Sequence, residues 1–395
     1  MLEQLELDAG DLGSVTVKML TLIASAAMAA PNFLLVMCDD MDIVLGGVNA
    51  TPQVAQLLGA GGAAASNYFV SSPKCTPSRS AWLSGRHYHN LRPHGATTGK
   101  GLNTTNFFGK DALFPTLRAN GYRTALFGKL HNDQHSWLCT PGNHSEPFDY
   151  IYTECAPCGG YYRTDEDAWV VKETHASVHE FATLAKDDPY SNYSEAQYGN
   201  HSIDWIKRIV AEKQEPFFAF VGTSGPHLGV VPAPWHRRRT MELAKTLRAP
   251  RTPSFNVRAA DHHPLLATAP ELGAEAIATV DLHMRDRWGT LFSIDDMVAG
   301  IHAALVELDI LDHTYMFFTS DHGYHLGQFR MPDEKVRPNT IRRPSASNEA
   351  HRLQYMMLCS RTMSCQVHRI VPHPPSPRHH SLPPRLHRED DAVRN

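Results

Sequence analysis

A chain of 395 residues with 42% hydrophobic side chains is long enough to bury the core of one large α/β domain or of two smaller ones. Its formal net charge of -4 supplies no general basic surface for a phosphate backbone, so no nucleic-acid partner is expected. That average hides a split, because ten arginines against four acids after Lys335 give +6 there and leave -10 for everything before.

Near the start, Lys18 is followed by an apolar run over 19–29 that ends in small residues, Ala27 to Ala30. This is the pattern of a cleaved secretory signal within residues 1–30 and is too short for a stable membrane span. Residues 33–37 form a continuous apolar run ending in Asp39-Asp40, as expected of a buried parallel strand that delivers two carboxylates at its C-terminal end. Thr51-Pro52 opens a short helix through Leu58, closed by glycines. Cys75 lies at or just before a helix N-terminus, with Pro77 in the first turn. A helix over 114–119 turns at Asn120-Gly121 into a strand over 123–127 ending at Gly128-Lys129. Two later units repeat the plan: helix 202–212 before strand 216–221, and helix 293–307 before strand 314–319 and Asp321-His322. Residues 166–200 and 232–270 read as irregular polar excursions. The predicted fold is α/β, a mostly parallel central sheet flanked by helices. Apolar periodicity stops at Val336, and residues 336–395 form an Arg/Pro/His-rich tail without lysine, expected to be disordered or the product of a misread gene end.

Seven cysteines leave six if Cys75 is consumed by modification, and a local disulfide involving Cys155, Cys158 or Cys139 is favoured over zinc. Sequons at Asn49, Asn103, Asn143, Asn192 and Asn200, together with the leader, suit a glycoprotein of the secretory pathway, extracellular, periplasmic or lysosomal.

A parallel sheet would gather Asp39, Asp40, Asp321 and His322 at one edge as hard oxygen ligands plus an imidazole, a set that suits Ca²⁺ or Mg²⁺. Either pair alone would read as turn residues. A lone cysteine is most often a buried small residue, but here Cys75, Pro77 and Arg79 match Cys-x-Pro-x-Arg and are followed by Leu83-Ser84-Gly85-Arg86. In these motifs the chain resembles the sulfatases of the alkaline-phosphatase-like superfamily. The resemblance extends in order through Asp39-Asp40, Gly128-Lys129 with His131, Pro226-His227 and Ser320-Asp321-His322-Gly323. Within that family it looks most similar to N-acetylglucosamine-6-sulfatases and arylsulfatases, through Asp42 with Leu45-Gly46-Gly47, His89-Asn90, and Gly323 to Phe329 with Lys335.

The resemblance implies a catalytic domain over 31–335, and it implies that a formylglycine-generating enzyme oxidises Cys75 to the formylglycine nucleophile. Asp39, Asp40, Asp321, His322 and modified Cys75 would bind Ca²⁺ (or Mg²⁺), Arg79 and Lys129 would steady the aldehyde hydrate, and His131, His227 and Lys335 would face the sulfate. One hydroxyl of the hydrate would attack sulfur while His227 or Lys335 protonates the leaving alcohol, and a base such as His131 would then release sulfate. The implied substrate is a sulfated glycan, with N-acetylglucosamine-6-sulfate units, or an aryl sulfate. The family's smaller C-terminal domain is expected to be missing, and His322 stands where many relatives carry Asn. Two other readings share these motifs: a phosphodiesterase or phosphonate hydrolase, and a catalytically inactive glycan-binding protein.

Overall fold

The computed structural model describes residues 30–91, 112–132, 148–154, 169–173, 176–182, 193–214, 216–227, 229, 231–262, 264–333 and 355–360. All fall within one unit spanning residues 1–362; a second unit, 363–395, lies outside the described residues, as do the expected leader up to Ala29, Lys335, and Cys139, Cys155 and Cys158.

The strands are β1 (Asn32–Cys38), β2 (Gly62–Tyr68), β3 (Arg123–Gly128), β4 (Tyr150–Glu154), β5 (Trp169–Glu173), β6 (Ala176–Ala182), β7 (Phe217–Gly222), β8 (Thr314–Ser320) and β9 (Tyr355–Ser360). They form one sheet in the order β2-β9-β8-β1-β7-β3-β4-β5-β6. The five central strands, β8-β1-β7-β3-β4, run parallel, and antiparallel strands flank them on both sides. The predicted mostly parallel sheet is therefore present.

Strand β1 is apolar from Phe33 onward because both its faces are covered. Leu34 and Val36 share one core with Trp205, Ile206 and Ile209 and with Leu291, Ile294, Val298 and Ile301. Leu35 and Met37 share the other with Leu83, Phe114, Phe218 and Phe220. The helices responsible are α1 (Cys75–Ser84) and α2 (Leu113–Ala119) on one face, and α3 (Ser194–Ala211) and the 34-residue α5 (Ala274–Glu307) on the other, with the short α4 (Arg237–Leu243) packed on α5. Helix α5 is long and apolar enough by composition to cross a membrane, but 67% of its most apolar window is buried in this fold, as expected of a core helix.

Several segments differ from the sequence reading. Helix α5 begins at Ala274, nineteen residues before the expected start, and α3 begins at Ser194 rather than 202. In the first half of α5, the buried Val280, Met284 and Arg287 keep helical spacing, but Asp281, Arg285 and Asp286 between them mask it. Strands β5 and β6 occupy part of the excursion 166–200, and β9 adds a strand beyond residue 335, built on the apolar run of Tyr355 to Cys359.

Candidate active site

Strand register builds the site. Strands β1 and β8 pair in parallel with Cys38 opposite Ser320, so the next residues on each chain, Asp39-Asp40 and Asp321-His322, emerge side by side at the C-terminal edge. The two turns are tied together: Asp40 N donates to Asp321 Oδ1 at 3.1 Å and Met41 N to Ser320 Oγ at 2.9 Å. Asp40 adopts φ 74, a left-handed conformation unusual for a residue with a side chain. His322 Nδ1 then lies 3.1 Å from Asp40 Oδ1, and its Nε2 lies 3.6 Å from Asp321 Oδ1.

Cys75 is the first residue of α1 and is 1% exposed. Its Sγ sits 3.2 Å from Asp39 Oδ1 and 3.2 Å from His322 Nε2. One turn on, buried Arg79 donates from Nε to Asp321 Oδ2 at 2.8 Å and from Nη1 to the Lys129 carbonyl. Its Nη2, also buried, has no hydrogen-bond partner among the described residues and stands 4.0 Å from Asp39 Oδ1. Burial opposes the guanidinium charge, but Asp321, Asp39 and Cys75 outweigh it and raise the Arg79 pKa further. Lys129, directly after β3, ion-pairs with Asp39 Oδ2.

His131 is buried, with Thr76 Oγ1 at 3.4 Å from Nδ1 and Ser80 Oγ at 3.3 Å from Nε2. Burial first, then the charges of Arg79 and Lys129, push its pKa down to about 3. That environment favours a neutral ring and opposes the role of proton-accepting base. His227 follows the cis Gly225-Pro226 bond, is partly exposed, and has Nε2 3.9 Å from Asp40 Oδ2.

The structure thus brings together every expected site residue except Lys335, which lies outside the described residues. Among the described residues there are two sets whose potential ligand atoms each lie within 4.8 Å of one another, Asp39-Cys75-Asp321-His322 and Asp40-Cys75-His227, with Cys75 common to both. His227, expected to face only the substrate, therefore also stands beside Asp40 and Cys75. Three buried carboxylates face two permanent cations, Arg79 and Lys129, so the donor set fits a divalent cation on both charge and hardness.

Sequence reasoning missed the supports behind these groups. Arg287 of α5 is 5% exposed and donates from Nη2 to the Asp40 carbonyl at 2.5 Å and from Nη1 to the Pro226 carbonyl at 2.9 Å. Glu195 of α3, fully buried, accepts Ser224 N at 3.2 Å and Gly225 N at 2.8 Å. The only available signal was a charged residue at a core-facing helical position.

The profile of the Sulfatase family matches residues 31–373. The chain belongs to the sulfatase family. It is 28% identical over 326 residues to human N-acetylglucosamine-6-sulfatase, covering 79% of this chain and 54% of that protein. Against the extracellular sulfatase SULF-1 homolog of Drosophila melanogaster it is 28% identical over 341 residues, covering 80% of this chain and 27% of that one. The chain spans about half the length of the N-acetylglucosamine-6-sulfatases it matches. Its fold matches that of BT4656, solved in complex with its substrate D-glucosamine-2-N,6-O-disulfate, at TM-score 0.57 and 16% identity, over 84% of this chain and 71% of that one.

Proposed function

We propose that this chain hydrolyses sulfate esters of sulfated glycans, through a formylglycine formed from Cys75 in the secretory pathway. One observation carries the reading: Cys75 Sγ lies at the meeting point of both potential ligand sets, at the N-terminus of α1. A thiol sulfur is a poor partner for a hard cation, whereas an oxygen at the same position would complete an oxygen-rich set. Asp39, Asp40, Asp321 and His322 would hold Ca²⁺ or Mg²⁺. When bound, the cation would polarise the sulfate oxygens, and oxidised Cys75 would supply an oxygen nucleophile.

The remaining work falls to the chain's own side chains. A sulfate ester gathers negative charge in its transition state, and Arg79 and Lys129 provide fixed, partly or wholly buried positive charge beside Cys75. Arg79 Nη2 retains an unused buried donor for an anionic oxygen. His131, neutral in its pocket, would bind oxygen as a hydrogen-bonding ring. Partly exposed His227 would give a proton to the departing alcohol. The substrate class draws support from the glucosamine-sulfate relatives, and N-acetylglucosamine-6-sulfate units are the proposed target, with aryl sulfates as small surrogates.

The test is peptide mass spectrometry on the full chain co-expressed with a formylglycine-generating enzyme, together with paired turnover assays on an aryl sulfate and an aryl phosphate. Formylglycine at position 75 with preferred sulfate turnover is the expected result. Unmodified Cys75 with no turnover would leave a glycan-binding protein, and preferred phosphate turnover would leave a phosphodiesterase.

A further inference from the structure

Residues 237–258, downstream of His227, carry seven permanent cations (Arg237, Arg238, Arg239, Lys245, Arg248, Arg251 and Arg258) and a single acid, Glu242, in a chain whose overall charge is -4. The segment is laid along α5. At one end His236 Nε2 pairs with Asp296 at 2.8 Å, and the Arg239 guanidinium lies 3.6 Å over the Phe292 ring. At the other end Arg251 pairs with Asp281 at 2.7 Å. Asp296 and Asp281 are separated by ~22 Å of helix at ~1.5 Å per residue. Arg287, which holds the Asp40 and Pro226 carbonyls, lies between them on α5. The cations therefore form a strip that passes the level of the active site.

Part of this charge is answered locally. Lys245 pairs with Glu242 at 2.6 Å, and Arg248 and Arg251 share Asp281. Arg237 and Arg238 are exposed and have neither an ion pair nor a hydrogen bond among the described residues. Two adjacent arginines that make no ion pair among the described residues repel each other and are poorly justified by stability alone.

Resting on the reading of a sulfate-ester hydrolase, we infer that this strip is an auxiliary binding surface for a linear sulfated glycan, which it holds while one of its sulfates occupies the site. Charge complementarity supports this occupant: guanidinium groups match sulfate oxygens in a planar, two-donor geometry. The strip's length suits a chain polymer better than a monosaccharide. Nucleic acid is the competing polyanion, and the test must separate the two.

The experiment compares the full wild-type chain with Arg237→Glu/Arg238→Glu, both positions being exposed and outside the catalytic machinery. Binding is measured to immobilised heparin, to desulfated heparin and to a single-stranded RNA, across a salt series. The strip predicts heparin binding that weakens with salt, a loss of roughly tenfold or more in the double variant at low salt, and weak binding of desulfated heparin and RNA. On a sulfated polysaccharide the variant should raise KM and leave kcat unchanged, with aryl sulfate kinetics unaltered. Wild-type heparin affinity in the variant overturns the proposal, and so does RNA binding as tight as heparin binding. Because binding needs no turnover, a chain that holds heparin through these arginines yet hydrolyses no sulfate ester sinks the functional reading and not the strip.

Discussion

His131 is enclosed between Thr76 and Ser80, with Arg79 and Lys129 nearby, so protonation in the folded state is opposed by both burial and charge. In the unfolded chain an ordinary histidine takes up a proton below about pH 6.5. The folded His131 does so only near pH 3. Between those values the unfolded state binds the extra proton, so His131 makes stability fall as pH drops, by about 1.4 kcal/mol per pH unit. Urea unfolding between pH 6.5 and 4, with EDTA present, should show a slope that His131→Gln reduces by about one proton. Identical slopes in the two proteins would show that the ring titrates normally. The sequence identified this histidine through its place after a strand, yet not its partners: the contact between the α1 hydroxyls and the residue beyond β3 is tertiary and leaves no trace in local periodicity.

At the level of elements, the two long helices each send one buried charge to the loop that carries His227. Glu195 of α3 takes its amides at Ser224 and Gly225, while Arg287 of α5 holds its Pro226 carbonyl and the carbonyl of Asp40. Asp40 is the residue at φ 74, a conformation that costs about 1 kcal/mol or more for a residue with a Cβ and persists where neighbours enforce it. Arg287 also lies over the Tyr324 ring at 4.5 Å and 3.9 Å from Asp42, so its position is fixed from two further sides. Lysine offers its donors from a single nitrogen and lacks the planar fork that serves the two carbonyls from separate nitrogens. Arg287→Lys should therefore fold but bind Ca²⁺ about tenfold or more weakly, the equivalent of losing one hydrogen bond to a charged group. Calcium titrations followed by thermal melting would measure this, with Arg287→Met as the more severe comparison. Unchanged calcium affinity in Arg287→Lys would reduce the residue to ordinary packing. Strands such as Asn32–Cys38 were legible because continuous apolar runs ending in polar pairs have one ready reading in an α/β sheet. The half of α5 that carries Arg287 was not, since its charged residues hide the stripe that includes it.

For the whole molecule, the decisive quantity is the charge buried at the sheet edge. Asp39, Asp40 and Asp321 are each at most 2% exposed, and Arg79 and Lys129 supply two positive charges against their three negative ones. Packing carboxylates this closely out of water is unfavourable unless a cation or a proton relieves the excess. A cation that binds the folded chain and not the unfolded one stabilises it by about 2.7 kcal/mol at a concentration 100 times its Kd. Adding Ca²⁺ or Mg²⁺ to chelated protein should accordingly raise Tm by several degrees, and EDTA should reverse the shift. Asp40→Asn should reduce the shift while raising the melting temperature of the chelated protein, because removing one carboxylate removes part of the repulsion that the cation otherwise relieves. That pair of opposite changes separates a cation site from a general loss of fold, which would lower both. If neither cation moves Tm and Asp40→Asn only destabilises, the three carboxylates are satisfied by Arg79, Lys129 and the histidines alone, and the metal-dependent reading of the site fails.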